Sequence, residues 1–406
     1  MASAQAAKRA FFPPDEELAL LPGHLTPLLQ DHLAHLGTWM PFAQAARMLE
    51  RFTHVSVSKA TAQRHTQAVG IAYEAVQLAE VERIEQDWPD VPPGPAKLVL
   101  GIDGAFVPLV RGEWAEVKTL VVGEVGEPLE GKGEQVVPTH SLSYFSRLSE
   151  AETFQRLTLG EVHRRCLETA GQVAAVSDGA EWIQGFVDYH CPAAIRILDF
   201  PHAAERICQI GEVVLGAGHA SLAAWQQRQL HALKHSGPTA VLAALRTFAA
   251  EQLEVPQVAE NLVYLEKRLV QIEYPSFQAA GWPIGSGSAE SANKLVVEAR
   301  LKGAGMHWSR ASVNPMLSLR NAVCNDRWDE AWQQSTGQIQ QVGLLRRVVQ
   351  PKRVAVPEPP PLLEPATPAP AIEPEAEPLV PSKGEATHPW RRTNYATKAR
   401  MAQAGA

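Results

Sequence analysis

The chain has 406 residues and 45% hydrophobic content, enough to bury a sizeable core and to hold more than one domain. Its net charge of −7 excludes a global positive field that draws in nucleic acid, so any such binding must rest on local patches. The four cysteines, Cys166, Cys191, Cys208 and Cys324, form no Cys-x-x-Cys pair. With no signal-peptide pattern and no apolar run of bilayer length, the expectation is a soluble, cytoplasmic protein with free thiols and no membrane partner.

Residues 1–90 read as helical. "PFAQAARMLERF" places Phe42, Ala45, Ala46 and Leu49 at helical spacing. "THVSVSKATAQRHTQAVGIAYEAV" restarts a helix, with Ser56 or Ser58 as N-cap and Ala60, Ala68, Ile71 and Ala72 as the expected inward face. Two helices with a short turn fit a helix-turn-helix, in which Lys59, Thr61, Gln63, Arg64 and Gln67 form a base-reading cluster. An ordinary amphipathic helix pair with a solvated polar face fits the same residues.

A proline-rich connector, "DWPDVPPGPAK", closes this part. "KLVLGIDGAFVPLV", "EWAEVKTLVVGEV" and "THSLSYFSRL" then read as three strands, with the first ending in a turn. A helix over "EAETFQRLTLGEVHRRCLETA", a strand in "QVAAVSDGAEW", a second helix and a further strand in "AIRILDFPHAAERI" complete an α/β domain with a mixed sheet. Residues 203–280 read as an all-α insertion, and 281–335 as a return to the core. Residues 351–406 are proline-rich and acidic with a basic tip, "RRTNYATKAR", a composition that predicts disorder.

Asp103 in "LVLGIDGAF" and Asp178 in "VAAVSDGAEW" each follow an apolar strand pattern. Asp-Gly is a favoured turn dipeptide, so each alone reads as a turn. Together with Glu290, which follows the Gly/Ser-rich "IGSGSAES", they suggest three acids converging from separate elements. Oxygen-rich sites of this kind hold Mg²⁺ or Mn²⁺, and two such ions roughly 4 Å apart assist phosphodiester cleavage. Glu298 competes as the third acid, and Glu290, Lys294 and Glu298 also suit a surface ion-pair row at i, i+4, i+8. Lys294, Arg300, Lys302, His307 and Arg310 form a local basic track suited to phosphate, or else a solvated face. His190, Cys191, His202 and Cys208 lack the paired spacing of a structural zinc site.

"GIDGAFVP", "SDGAEWI" and "IGSGSAES" resemble the Asp-Asp-Glu triad of prokaryotic insertion-sequence transposases of the RNase H-like, Mutator-related group. "ILDFPHAAE", with Asp199-x-x-His202, and "GMHWSRASVNPMLSLRNAVCNDRWDEAW" are similar to segments of the same family, and the likeness covers about residues 95–335. The resemblance implies an RNase H-like core at 91–202 and 281–335 with the α-helical insertion between. It implies catalytic, metal-binding Asp103, Asp178 and Glu290 with two Mg²⁺ or Mn²⁺ ions, and His202 beside the scissile region. It further implies hydrolysis at transposon terminal inverted repeats, strand transfer into target DNA, and a homo-oligomer that pairs two ends. Two other functions stand against it: a DNA-binding regulator whose α/β domain is not catalytic, and a nuclease of the same fold that cleaves without joining.

Overall fold

The computed structural model describes residues 25–131 and 134–349; the proline-rich segment expected to be disordered lies outside them. Three helices come first: α1 (Pro27–Trp39), α2 (Phe42–Thr53) and α3 (Lys59–Asp87). Thr26 caps α1, with Pro27 at its first position. His54, in the left-handed region, ends α2. Ser58, not Ser56, caps α3, its Oγ accepting from the Thr61 N–H at 3.0 Å. The inward face of α3 differs from the expected one. Ala62, Thr66, Val69, Gly70 and Tyr73 are buried with Ala72, whereas Ala60 and Ala68 are exposed and Ile71 is 59% exposed. Close approach decides this: a Cβ on Gly70 would lie 2.3 Å from the Pro315 carbonyl oxygen, and one on Gly37 would lie 2.2 Å from Thr66 Oγ1. Small and hydroxyl side chains at 62, 66 and 70 therefore make the contact, and apolarity alone does not reveal them.

The sheet has five strands in the order β5-β2-β1-β6-β7. Strands β1 (Lys97–Pro108), β2 (Trp114–Val125) and β5 (Thr139–Arg147) are antiparallel, with a small β3–β4 hairpin (Leu129–Gly131, Glu134–Val136) between β2 and β5 in the chain. Strands β6 (Gln172–Ser177) and β7 (Ile195–Leu198) are added parallel to β1. Leu98, Leu100 and Ile102 point to one face, packed with Phe154 of α4 (Ala151–Leu157), Val162 of α5 (Leu159–Arg164) and Ile183 and Phe186 of α6 (Glu181–His190). On the other face Val99, Ala174, Val176 and Ile197 join a helical block. That block comprises α7 (Phe200–Leu215), α8 (Leu222–Ser236), α9 (Pro238–Phe248), α10 (Pro256–Glu266) and α11 (Tyr274–Ala279). Farther along the same face, Ala105, Val107 and Val117 share a core with Leu33, Phe42, Leu49 and Ala62, so the first three helices are fused to the sheet.

The last layer begins with α12 (Gly287–Ala292), which runs through a π turn (Asn293–Glu298) into α13 (Ala299–Leu301); α14 (Arg310–Cys324) and α15 (Trp328–Val349) follow. Two asparagines of α14 and a third that caps its C-terminus satisfy the outer edge of β5. Asn325 Oδ1 accepts from Tyr144 N–H at 2.8 Å while its Nδ2 donates to Tyr144 O at 2.9 Å. Asn321 does the same at Ser146 (3.0 and 3.2 Å) and Asn314 at Leu148 (2.8 and 3.1 Å). Each carboxamide replaces the peptide group of a missing neighbouring strand, which closes an edge otherwise open to pairing. Arg147, fully buried beside this ladder, donates to Ser318 of α14 at 2.5 Å and to Gln77 of α3 at 2.6 Å; burial pushes its guanidinium down to about 10.

Asn321→Ala leaves the N–H and C=O of buried Ser146 without partners, and a loss of about 2–4 kcal/mol is expected, read as a lower denaturation midpoint in urea.

Candidate active site

Register assembles the site. Gly101 pairs with Val176 across β1 and β6, and Ser177 pairs with Leu198 across β6 and β7. Two residues beyond the first pair stand Asp103 and Asp178; one beyond the second stand Asp178 and Asp199. Three aspartates thus lie level where the parallel strands part company. The expectation of a turn at Asp103 does not hold, because β1 continues beside β2 to Pro108. At Asp178 a turn does form: Oδ1 accepts from Ala180 N–H at 2.9 Å, and Gly179 has φ +78°. The helical block clamps that turn. Tyr264 donates its hydroxyl to the Asp178 carbonyl, and Arg268 donates to the Gly179 carbonyl at 2.6 Å while stacking on Tyr264.

Asp103 Oδ1 accepts from the Gly104 N–H at 2.7 Å, and Oδ2 from Asn293 Nδ2 at 2.9 Å. Burial raises its pKa above the usual carboxylate range and the Asp178 charge adds to this, against the Gly104 and Asn293 hydrogen bonds and the nearby His202. Asn293 is only 5% exposed, and its Oδ1 has no hydrogen-bond partner.

Asp199, buried at the start of α7, receives three hydrogen bonds. Ser286 gives its N–H to Oδ1 at 3.0 Å and its hydroxyl to Oδ2 at 2.6 Å; His202 Nδ1 lies 3.0 Å from Oδ2. Together with a Phe200 N–H to Ile284 carbonyl bond of 2.9 Å, these tie the Gly/Ser loop before α12 to the end of β7. The Asp199 hydrogen bond raises the His202 pKa, and the charges of Asp199, Asp178 and Glu205 add to it against partial burial.

Helix α12 rests on the sheet because Gly101 has no side chain. A Cβ there would lie 2.6 Å from Val121 Cγ1 and 3.2 Å from both Ala289 Cβ and Ser288 Oγ. Glu290, on this helix, turns outward: its side chain is 66% exposed and Oε1 lies 2.7 Å from Lys294 Nζ. The structure therefore brings Asp103, Asp178 and His202 together electrostatically, and Asn293 rather than Glu290 makes direct contact with Asp103. Among the described residues no three His, Cys, Asp or Glu side chains are gathered around a metal position. The Glu290–Lys294 pair joins two exposed groups, so little free energy holds it, and a change of rotamer frees the carboxylate.

Of the basic residues, Lys294 is exposed, Lys302 pairs with Glu298 at 2.7 Å, and His307 and Arg310 are exposed. Lys59 and Arg64 are exposed at the start of α3. Arg300 leaves the expected track: it is 2% exposed, donates to the Gly37 carbonyl at 3.0 Å and stacks on Phe42 and Trp308. Six residues beyond Lys294, it falls on the inner side of the helix, and burial lowers its pKa to about 10. It joins the last helices to α1 and α2 and is not available to phosphate. Asn293, Ser286, Tyr264 and Arg268 join the site through contacts between distant segments, which leave no local pattern in the sequence.

No protein-family model matches the chain, and no curated protein matches it.

By NMR titration His202 is expected to titrate above 6.5, and Asp199→Asn to bring it down. The sign for stability follows. A raised histidine value adds stability that is fully present below the unfolded value and is lost as pH rises through the folded one. The stability difference between the native protein and Asp199→Asn is expected to narrow over that interval.

Proposed function

We propose that this protein is a DDE transposase that cuts and joins DNA at transposon terminal inverted repeats, using an RNase H-like core. The observation that carries this reading is the level placement of Asp103 in β1 and Asp178 just past the end of the adjacent parallel strand β6, under the α12 helix that bears Glu290 and the π turn that opens at Asn293. The mixed five-stranded sheet, followed by a helical block and a return to the sheet, supports a core of the kind the resemblance implies.

The donor set suits a hard divalent cation. It holds a desolvated carboxylate, a second carboxylate close enough to repel it, and a buried carboxamide oxygen with no partner. Asp103, Asp178 and, after leaving Lys294, Glu290 would hold two Mg²⁺ or Mn²⁺ ions. Such ions, when bound, activate the attacking oxygen and stabilise the leaving one. The chain's own side chains do the rest. His202, whose pKa the Asp199 hydrogen bond raises, stands beside Asp178 and would offer a ring N–H to a phosphate oxygen there. Lys294, Lys302 and Arg310 are the phosphate contacts beside the site. Lys59 and Arg64 approach the terminal repeat from the start of α3, as a recognition helix does. Two ends must meet for strand transfer, so the working form is a homo-oligomer.

The test uses duplex DNA carrying the inverted repeats that flank the coding sequence. With Mg²⁺ or Mn²⁺ the protein is expected to nick this DNA and join it to a target. Asp103→Asn, Asp178→Asn and Glu290→Gln are each expected to cut the rate by at least about 100-fold while binding persists. Cleavage without joined products indicates a nuclease, and binding without cleavage a regulator. Full activity of Asp103→Asn refutes the assignment.

A second outcome concerns stability. A carboxylate with a raised folded-state pKa costs stability once pH exceeds its unfolded value. Asp103→Asn is therefore expected to raise the thermal midpoint at pH 7 by about 1–3 °C without metal, a gain that disappears as pH falls toward 4.

A further inference from the structure

We propose that Asn293 is a ligand for the first divalent cation, and that Asp103, Asp178 and Asn293 form a complete loading site that needs neither Glu290 nor DNA. This deepens the metal-dependent reading above and rests on it. Asn293 is the buried, unsatisfied polar group of the site. Its Nδ2 is spent on Asp103 Oδ2 at 2.9 Å, its Oδ1 has no partner, and the residue is 95% removed from solvent by its 5% exposure. An amide oxygen in that state is costly, and natural folds rarely leave one without a reason. The reason lies beside it: two level aspartates, of which the nearer is desolvated and repelled by the other.

The carboxamide torsion is broad and roughly two-fold, so turning it over exchanges nitrogen for oxygen at Asp103. With the site empty, the N–H faces the carboxylate. With a cation there, the oxygen faces the ion and the N–H gives up Asp103 in exchange. The backbone supports this role, because Asn293 opens the π turn Asn293–Glu298, and single π turns within helices are frequent at functional sites. Glu290 is meanwhile engaged by Lys294 at 2.7 Å at the surface. It is released when a DNA phosphate competes for Lys294, so its carboxylate joins after substrate arrives.

The experiment titrates the full-length protein with Mn²⁺ without DNA, following free Mn²⁺ by electron paramagnetic resonance. The native protein and Glu290→Gln are expected to bind one ion with affinities within about two-fold. Asn293→Ala is expected to weaken binding by at least about 10-fold, Asn293→Asp to bind at least as tightly as the native protein, and Asp103→Asn to abolish binding. Should Asn293→Ala fail to fold by circular dichroism, Asn293→Leu keeps the volume without the oxygen and must show the same loss. Native-like binding by the Ala or Leu variant overturns the inference, as does a loss in Glu290→Gln equal to that in Asp103→Asn. If the free native protein binds no Mn²⁺ but cleaves DNA with it, the inference falls and the transposase reading stands. If it neither binds the ion nor cleaves, both fall.

Discussion

The pairing of Gly101 with Val176, and of Ser177 with Leu198, governs the candidate site. A shift of one residue in either pair would turn every side chain of the moved strand to the opposite face. Asp103 would then exchange places with a core position such as Ile102. The cores on both faces of the sheet hold that register: Leu98, Leu100 and Ile102 have their partners in α4–α6, and Val99 has its own in the helical block. The level row of Asp103, Asp178 and Asp199 is thus held by burial of the apolar residues that precede each acid along its strand.

The helices over the sheet serve the same end by different means. Gly101 lets α12 approach, Asp199 ties the loop before it through Ser286, and Tyr264 with Arg268 clamps the Asp178 turn. At the opposite edge, Asn314, Asn321 and Asn325 finish β5 with side-chain amides where a sixth strand would have used backbone. That arrangement leaves the antiparallel edge without free pairing groups at these positions and fixes α14 in register with it. Arg147, Arg300 and Arg320 reinforce these joints, donating to carbonyls or neutral side chains.

Stability and the proposed chemistry pull in opposite directions at Asp103. A buried carboxylate near another is costly, and Asn293 relieves it only by stranding its own oxygen. Strain of this kind is expected where a protein is organised for a ligand it does not yet hold.

Much of the fold could be read from the chain because it depends on local pattern. Apolar runs ending in Asp-Gly marked β1 and β6, the proline-rich stretch marked the end of the first helices, and "AIRILDFPHAAERI" marked β7, although the strand stops at Leu198 and α7 begins at Phe200, earlier than position 203. What local pattern does not reveal depends on partners distant in sequence. The inner face of α3 follows Thr66 and Gly70 because neighbouring helices approach there; Arg300 is buried because α1 offers it a carbonyl; and three asparagines along and at the end of a helix look solvated until a strand edge is laid beside them. The identities of Asp103 and Asp178, and the periods of the strands that carry them, belong to the sequence. Tertiary structure alone decided that Asn293 touches Asp103 while Glu290 turns to Lys294, because that choice rests on how α12 and its π turn seat against β1, a contact between residues nearly two hundred positions apart.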